Sequence, residues 1–317
     1  MSTVLLEKNE VKENDAIQQK VQGLITSGRF TQTQIAKQID YSSAALSTFL
    51  KGDYKGNVEQ IKDALKKFLD SLKVNEKRLK TVLKYAETSV AKNLWNIAGM
   101  CQYNGEIGVC FGSSGLGKTT AIKEYAKEKL GVIIVDPDEK TSPRAILKQI
   151  ATQLGIPTFP QLMEQFIEDV TKRLYGTNKI IIVDEAENLD TSSFRLLRKL
   201  HDRCDNTCSI LFVGTEVLYG NLLKLNGEYN YIVNRIAACK KLDNLTRNDI
   251  KMLVTQIFPN STEELLQEFE IASNKNARVL YNTLKRAKDI CTASGEELNK
   301  DIIKNARGFL LVANERV

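Results

Sequence analysis

A run of glycines followed by a lysine and a threonine has the spacing of a phosphate-binding loop. The run CFGSSGLGKTTAIKEY at residues 110–125 fits the pattern G-x-x-x-x-G-K-[ST] without a mismatch. In such a loop the glycines let backbone N–H groups close around phosphate oxygens, while the following helix points its positive end at them. We therefore expect a nucleoside triphosphate to be bound by Gly112, Ser113, Ser114, Gly115, Leu116, Gly117, Lys118, Thr119 and Thr120.

Two side chains of this loop have specific expected roles. Lys118 is expected to reach the β- and γ-phosphates of ATP, and Thr119 to offer its hydroxyl to Mg²⁺. The flanking residues support this, because the apolar run IGVCF before the loop suits a buried parallel strand and the residues after it suit a helix. Strand, glycine turn and helix are the context that the motif requires.

A second motif, KIIIVDEAENL at residues 179–189, supplies acidic groups at the end of another apolar, β-branched strand. The strand would bring Asp184 and Glu185 to the phosphates. Asp184 is then expected to bind Mg²⁺, directly or through water, and Glu185 to polarise the attacking water. The pair of motifs predicts an ATPase.

The length and the charge distribution of the chain limit its possible domain organisation. Its 317 residues suit two or three domains, and it contains no apolar run long enough to span a membrane. The N-terminus is polar and does not resemble a secretory signal, so we expect a cytosolic protein. Residues 1–90 hold 15 Lys and Arg against 11 Asp and Glu, so much of the net charge of +6 precedes the ATPase motifs.

Three segments follow from the periodicity. Residues 1–87 are predicted to form a helical module and a linker, with a helix-turn-helix in FTQTQIAKQIDYSSAALSTFLKGDYKG at residues 30–56. Ser42 is the expected cap of the second helix, and Asp40 stands where many such turns have glycine. A plain helical bundle that docks a partner is the alternative. If the motif binds DNA, its exposed face consists of Ser43, Ser47, Thr48 and Lys51.

The second segment, residues 88–244, alternates strands and helices. Its strands are expected at 107–111, 131–135, 180–183, 209–213 and 237–241. This order is typical of an α/β fold with a parallel sheet flanked by helices. Residues 245–317 have helical periodicity and are predicted to form a C-terminal helical lid.

The two nucleotide motifs, the domain order and the runs LSTFLKGDYKGN and AKNLWNIAG resemble those of AAA+ ATPases in the family of the phage Mu transposition protein B and related transposon target-selection ATPases. The resemblance covers nearly the whole chain. It implies ATP and Mg²⁺ as cofactors and ATP-dependent oligomers, helical or ring-shaped, on duplex DNA that is bound with little sequence preference. It also implies recruitment of a DDE transposase as the partner.

The resemblance also assigns roles to three further residues. Thr215, after the strand at 209–213, is the expected sensor-one residue, although Asn is commoner there. Arg235 in YNYIVNRIAACKK would be the arginine finger offered to a neighbouring subunit, and Arg278 in SNKNARVLYNTLKRA the sensor-two residue of the lid. Together with Lys118 and Glu185, these three complete the expected catalytic set.

A basic surface on the core is expected to track DNA phosphates without reading bases. Its proposed members are Lys140, Arg144, Lys172 and Arg173, whereas the loop IPTFPQL at residues 156–162, which is more basic in relatives, has no positive charge here. Two other functions remain open from the sequence: an ATP-switched helix-turn-helix transcription regulator, and a replication-initiator or helicase-loader ATPase.

Overall fold

The computed structural model describes residues 17–28, 30–79, 83–139, 141–158, 161–224 and 233–308. Within these ranges, no helix is long and apolar enough to cross a membrane. The chain divides into two compact units, Met1–Val82 and Leu83–Val317. The residues expected to form the core and the lid thus share one unit, and the domain limits at 87/88 and 244/245 stay predictions.

The first unit is helical. Its core is built from apolar residues at helical spacing, with Ile35, Leu46 and Phe49 buried against residues of the flanking helices. Side-chain caps start two of the helices: Thr31 forms a capping box with Gln34, and the Ser42 hydroxyl accepts from the Ala45 N–H at 3.1 Å, as expected. The helices are α1 (17–26), α2 (Gln32–Gln38), α3 (Ser43–Leu50) and α4 (Val58–Leu79).

The turn between α2 and α3 contains Asp40 in the left-handed region, with φ 62°. Glycine adopts this conformation without strain, and Asp is among the few other residues that tolerate it. The preference for glycine at this place in helix-turn-helix motifs therefore has a local conformational reason, which Asp40 satisfies. Helices α2 and α3, joined by this turn, lie within the residues expected to form the helix-turn-helix, and the assignment of that motif stays a prediction.

The second unit is built on a five-stranded parallel sheet with strand order β2-β3-β4-β1-β5. All five expected strands are present, with ends that differ from the expected ones by at most one residue: β2 begins one residue later, β3, β4 and β5 begin one residue earlier, and β4 also ends one residue later. Because β1 and β3 both neighbour β4, the segments that follow these three strands meet at one edge of the sheet. The strands are β1 (Ile107–Phe111), β2 (Val132–Val135), β3 (Lys179–Val183), β4 (Cys208–Gly214) and β5 (Ile236–Lys241).

Alternation along the strands divides the core into two layers. Ile181 and Phe212 belong to the layer beneath helices α7 to α10, whereas Ile182 and Leu211 face α5, α6 and the lid helices. A sheet buried on both faces explains why its strands are apolar throughout. The core helices are α5 (Ser89–Asn104), α6 (Lys118–Glu128), α7 (Pro143–Gln153), α8 (Met163–Leu174), α9 (Thr191–Arg203) and α10 (Glu216–Lys224), with a short 3₁₀ helix at Ala186–Asn188.

In the described part of the chain, four helices follow β5, and they share the second core layer instead of forming a separate one. Phe269 and Leu284 lie in one hydrophobic cluster with Leu94 and Ile122 of α5 and α6. This shared packing fixes the lid beside the phosphate loop. The lid helices are α11 (Arg247–Val254), α12 (Glu263–Ser273), α13 (Ala277–Ser294) and α14 (Lys300–Gly308).

Candidate functional site

The glycine-rich loop connects the end of β1 to the start of α6. The Gly112 N–H donates to the Gly214 carbonyl of β4 at 3.2 Å. Gly115 and Gly117 have φ values of 80° and 92°, which L-residues rarely adopt, and Gly117 is the N-cap residue immediately before α6. A Cβ on Gly112 would lie 2.5 Å from the Leu242 carbonyl, so the loop also needs glycine for close packing.

The remaining loop side chains differ in environment. Leu116 is buried and anchors the loop in the core, whereas Ser114 and Thr120 are exposed. The Ser113 hydroxyl donates to Glu216 at 3.0 Å. The loop is therefore held by apolar packing below it and by hydrogen bonds at its rim.

Lys118 lies across the loop, with only 9% of its surface exposed. Its ammonium group donates to the carbonyls of Gly112 at 2.6 Å and Ser113 at 2.9 Å. Burial lowers the pKa of Lys118, while the nearby carboxylates of Glu187 and Asp184 act in the opposite direction. The sequence motif thus places a cation where it can contact phosphate oxygens.

The end of β3 brings Asp184 next to the loop. Asp184 is 4% exposed, and its carboxylate accepts hydrogen bonds from the Thr119 hydroxyl and from the Glu185 N–H, the latter at 3.1 Å. Burial raises the pKa of Asp184, and these hydrogen bonds only partly oppose that effect. The two oxygen groups proposed to hold Mg²⁺ are therefore already in contact.

Glu185 differs from Asp184 because it is exposed. Its backbone is left-handed, with φ 48°, a conformation that non-glycine residues rarely adopt and that is often found at functional sites. One carboxylate oxygen accepts from the Asn188 amide at 3.3 Å. The side chain is free of the core and able to contact water.

Glu187 is a site residue that sequence reasoning missed. Both of its carboxylate oxygens accept from the Thr215 N–H at 3.2 Å, and a Cβ on Gly214 would collide with this carboxylate. The Thr215 hydroxyl accepts from the Val217 N–H at 3.3 Å, which leaves its proton available for donation. Glu187 stands two residues after Glu185 in the acidic motif, so its position at the end of β3 was the available signal.

The lid reaches the loop through the start of α13. Arg278 is exposed, but its backbone N–H donates to the Gly115 carbonyl at 2.9 Å, and its charge acts on Lys118. Asn276, also missed by sequence reasoning, donates from its side-chain amide to the Ser114 carbonyl at 2.7 Å. The available signal was an Asn one residue before an amphipathic helix, which is a typical helix cap.

Arg235 is remote from these groups. It immediately precedes β5 and so lies at the amino-terminal edge of the sheet, about 20 Å along that strand from the edge that carries the loop. Its guanidinium is 3.6 Å from Asp202, and 52% of its side chain is exposed. It therefore lies far from its own chain's loop, and its role as an arginine finger stays a prediction.

The DNA contacts proposed for the core do not form one cluster. Arg144 lies over the Phe166 ring in the first turn of α8, whereas Lys172 and Arg173 are exposed in the last turn of that helix, about 10 Å further along. Lys172 is also paired with Glu168 at 2.7 Å. The fourth expected member, Lys140, lies outside the described residues.

The proposed DNA-binding face of α3 is partly exposed. Thr48 and Lys51 are exposed, while Ser43 and Ser47 are half-buried. The Ser43 carbonyl accepts from the Gln32 amide at 2.8 Å, so this end of α3 is held against α2. Lys62, a basic residue of α4, is only 2% exposed and lies 3.4 Å from Glu59, so it adds no cation to this face.

The residues at the carboxyl edge of the sheet fit a nucleoside triphosphate with Mg²⁺. Two left-handed glycines, a helix N-terminus and Lys118 suit the phosphates, and Thr119 with Asp184 suits the metal. Within the described ranges, no group of three or more His, Cys, Asp or Glu residues is arranged to hold a metal ion. Mg²⁺ is usually held by one or two carboxylates together with substrate phosphates and water.

Comparison with known proteins places this site in context. Residues 101–222 match the family described as an AAA domain. The chain is 25% identical over 287 residues to the ATP-dependent target DNA activator B of Escherichia phage Mu, covering 89% of this chain and 91% of that protein. It is also 25% identical over 249 residues to the Mu-like prophage FluMu DNA transposition protein B of Haemophilus influenzae, covering 77% of this chain and 86% of that protein.

Among solved structures, the Aeropyrum pernix ORC2 protein in its ADPNP-ADP complexes resembles the chain with a TM-score of 0.53 and 18% identity, covering 71% of this chain and 68% of that one. At this identity the likeness concerns the fold alone. Together the comparisons confirm the expected AAA+ P-loop fold and the resemblance to the Mu transposition B proteins.

Proposed function

We propose that this protein is an ATPase that binds duplex DNA in its ATP state and selects target DNA for a transposase. The observation that carries the proposal is the joining of four elements at one edge of the sheet: the phosphate loop, the acidic end of β3, the end of β4 and the start of the lid helix α13. Such an arrangement couples the state of a nucleotide to the position of a helical domain.

In this proposal each side chain of the edge has one task. Lys118 neutralises the β- and γ-phosphates, and Thr119 and Asp184 hold Mg²⁺, which supplies charge stabilisation when bound. Glu185 orients and polarises the attacking water, since it is the carboxylate exposed beside the buried Asp184. Thr215 and Arg278 act as sensors of the γ-phosphate.

Arg235 supports an oligomeric active form. Because it lies at the opposite edge of the sheet from its own loop, it can act as an arginine finger only towards a neighbouring copy. A contact between one edge of a subunit and the other edge of the next is heterologous, and repetition of it gives a ring or a helical filament.

The DNA and transposase roles come from the relatives, whose names describe an ATP-dependent target DNA activator and a DNA transposition protein. We propose the same role here, with a DDE transposase as the partner and the host cytosol as the site of action. The duplex would be bound through its phosphates by Arg144, Lys172 and Arg173 and by the exposed face of α3.

The experiment that tests this function measures ATP hydrolysis and DNA binding together. We expect duplex DNA to stimulate hydrolysis, and ATP but not ADP to produce assemblies visible by electron microscopy. DNA affinity should fall by about a thousandfold or more between 50 and 200 mM salt, with little dependence on sequence, if six or more phosphates are contacted.

The other two functions predict different results in the same experiment. A sequence-specific footprint with a shallow salt dependence would contradict target selection and favour the transcription regulator. Loading of a helicase without any effect on a transposase would favour the replication-initiator or helicase-loader alternative.

A further inference from the structure

Two hydrogen bonds join the start of the lid helix α13 to the phosphate loop: the backbone bond from the Arg278 N–H to the Gly115 carbonyl, and a side-chain bond made by Asn276. The Asn276 side-chain oxygen accepts from the N–H groups of Arg278 at 3.1 Å and Val279 at 3.2 Å, which is the cap of α13. Its side-chain amide donates to the Ser114 carbonyl at 2.7 Å. The backbone groups dictate this orientation, because two N–H donors face the oxygen and one carbonyl acceptor faces the nitrogen.

The loop is shaped to receive this contact. Gly115 occupies a position where the phosphate-loop motif permits any residue. A Cβ at Gly115 would lie 2.6 Å from the Asn276 side-chain oxygen and 3.1 Å from the Arg278 Cβ. Glycine is thus needed here for the close approach of the lid as well as for its φ of 80°.

The residues just before Asn276 hold the chain in place for this approach. Asn274 and Lys275 both have left-handed backbones, with φ values of 48° and 59°. The Lys275 carbonyl accepts from the Leu245 N–H at 2.9 Å, at the segment that links β5 to the lid. Two consecutive residues in a rarely populated conformation indicate that the surrounding contacts determine the path of the chain.

We propose that Asn276 is a positioning residue that couples the phosphate loop to the lid, an inference that rests on the proposed nucleotide site. One end of its amide starts the helix that carries Arg278, and the other end holds the carbonyl of Ser114. A change in the loop on nucleotide binding or hydrolysis is therefore transmitted to α13 through this side chain, and the lid in turn influences nucleotide affinity.

The substitution Asn276→Asp separates the two contacts. Asp has the shape of Asn and caps helices equally well, so α13 keeps its cap. The amide donor is replaced by a carboxylate oxygen that faces the Ser114 carbonyl, so the bond to the loop is lost and replaced by repulsion. Asn276→Ala removes both contacts.

Thr262→Ala is the matched control. Thr262 caps the lid helix α12 by accepting from the Leu265 N–H at 3.4 Å, and among the described residues its side chain makes no hydrogen bond to the phosphate loop. This variant therefore loses a cap of the lid without touching the loop.

The measurements are the thermal midpoint, the dissociation constant for ATP, the release rate of a fluorescent ADP analogue and the split between kcat and KM. We expect Asn276→Asp to lower the thermal midpoint no more than Thr262→Ala does, but to bind ATP at least about fivefold more weakly and to release ADP faster. Thr262→Ala should show a lower midpoint with unchanged nucleotide binding, and Asn276→Ala should show both defects.

Equal nucleotide binding and release by wild type and Asn276→Asp would overturn the coupling role and leave the proposed function intact. An equal loss of nucleotide affinity in Thr262→Ala would also overturn it, because general loosening of the lid would then be the cause. A wild-type protein that binds no nucleotide would overturn the proposed function itself.

Discussion

Two buried aspartates of the second unit, Asp184 and Asp249, have pKa values that are shifted in opposite directions. Asp184 follows the end of β3. Burial raises its pKa, and hydrogen bonds from the Thr119 hydroxyl and the Glu185 N–H only partly oppose that effect. Asp249 lies in α11, where burial alone would raise its pKa, but hydrogen bonds from Ser89 and Thr246 outweigh it and lower the pKa.

The number of donors explains the difference. Asp249 accepts from both the N–H and the hydroxyl of Ser89, at 2.8 and 2.6 Å, and from both groups of Thr246, at 2.8 and 2.7 Å. It thereby joins the start of α5 to the lid as a satisfied structural contact. Among the described residues Asp184 accepts from two donors, the Thr119 hydroxyl and the Glu185 N–H, which agrees with its proposed role as a Mg²⁺ ligand. The buried carboxylate with few hydrogen-bond donors thus belongs to the proposed nucleotide site. The one with four donors belongs to the contact between α5 and the lid, which we call the joint.

The largest expected effect tests the nucleotide edge through two variants. Glu185→Gln should leave ATP binding unchanged and lower kcat by about 10²–10⁴-fold, because only water activation is lost. Lys118→Ala should abolish ATP binding, measured by calorimetry, because the phosphates lose their cation. The control Lys127→Ala removes an exposed lysine of the same helix, paired with Glu124, and should change neither quantity. Equal loss of binding in both site variants would remove Glu185 from its proposed role.

The second largest effect concerns the stability that Asp249 contributes at the joint between α5 and the lid. Asp249→Asn should lower the free energy of unfolding by about 2–3 kcal/mol at neutral pH, since amide N–H groups replace an acceptor of four hydrogen bonds. Because folding lowers the pKa of Asp249, its stabilisation is present above the ordinary carboxyl pKa and is lost as the pH falls through the lowered value. Denaturant unfolding of wild type and variant across acid pH measures this.

Glu263→Gln is the control for Asp249→Asn. Glu263 is an exposed lid carboxylate paired with Arg247 and Lys251, so its replacement should have little effect on stability. A stability loss in Glu263→Gln as large as that in Asp249→Asn would contradict the distinction between a satisfied buried joint and ordinary surface pairs.

Asp184→Asn is expected to have a smaller effect of the opposite sign. Folding raises the pKa of Asp184, so the buried charge costs stability above the ordinary carboxyl pKa, and this cost disappears as the pH falls below it. At neutral pH the free energy of unfolding of the variant should therefore equal that of the wild type or exceed it by up to about 1 kcal/mol. The variant should also lose Mg²⁺-dependent hydrolysis. A clear destabilisation at neutral pH would show that Asp184 is a structural contact like Asp249.

The smallest effect concerns the exposed residues of the first unit that are proposed to contact DNA. Lys51→Ala should weaken duplex binding a few-fold for all sequences and reduce the salt slope by about 1, because one phosphate contact is lost. The equally exposed Lys304 of the lid supplies the control, and Lys304→Ala should leave DNA binding unchanged. Unchanged binding by Lys51→Ala would favour the helical bundle that docks a partner.

The sequence by itself determined the elements and the main chemistry of the second unit. Its five strands, its phosphate loop and the acidic pair Asp184 and Glu185 follow from local patterns: apolar runs, glycines at fixed spacing and carboxylates at a strand end. Such patterns are local because the left-handed conformation of a glycine turn and the run of apolar side chains along a buried strand can be recognised from adjacent residues.

Only the tertiary structure decided which distant residues meet at the site. Glu187 contacts Thr215 because β3 and β4 are neighbours in the sheet, and Asn276 reaches Ser114 because the lid shares a core layer with α5 and α6. Likewise, the donors around Asp184 and Asp249 set opposite pKa shifts for the same residue type. These contacts join residues far apart in the chain, so their energies depend on strand order and helix packing, which no local pattern encodes.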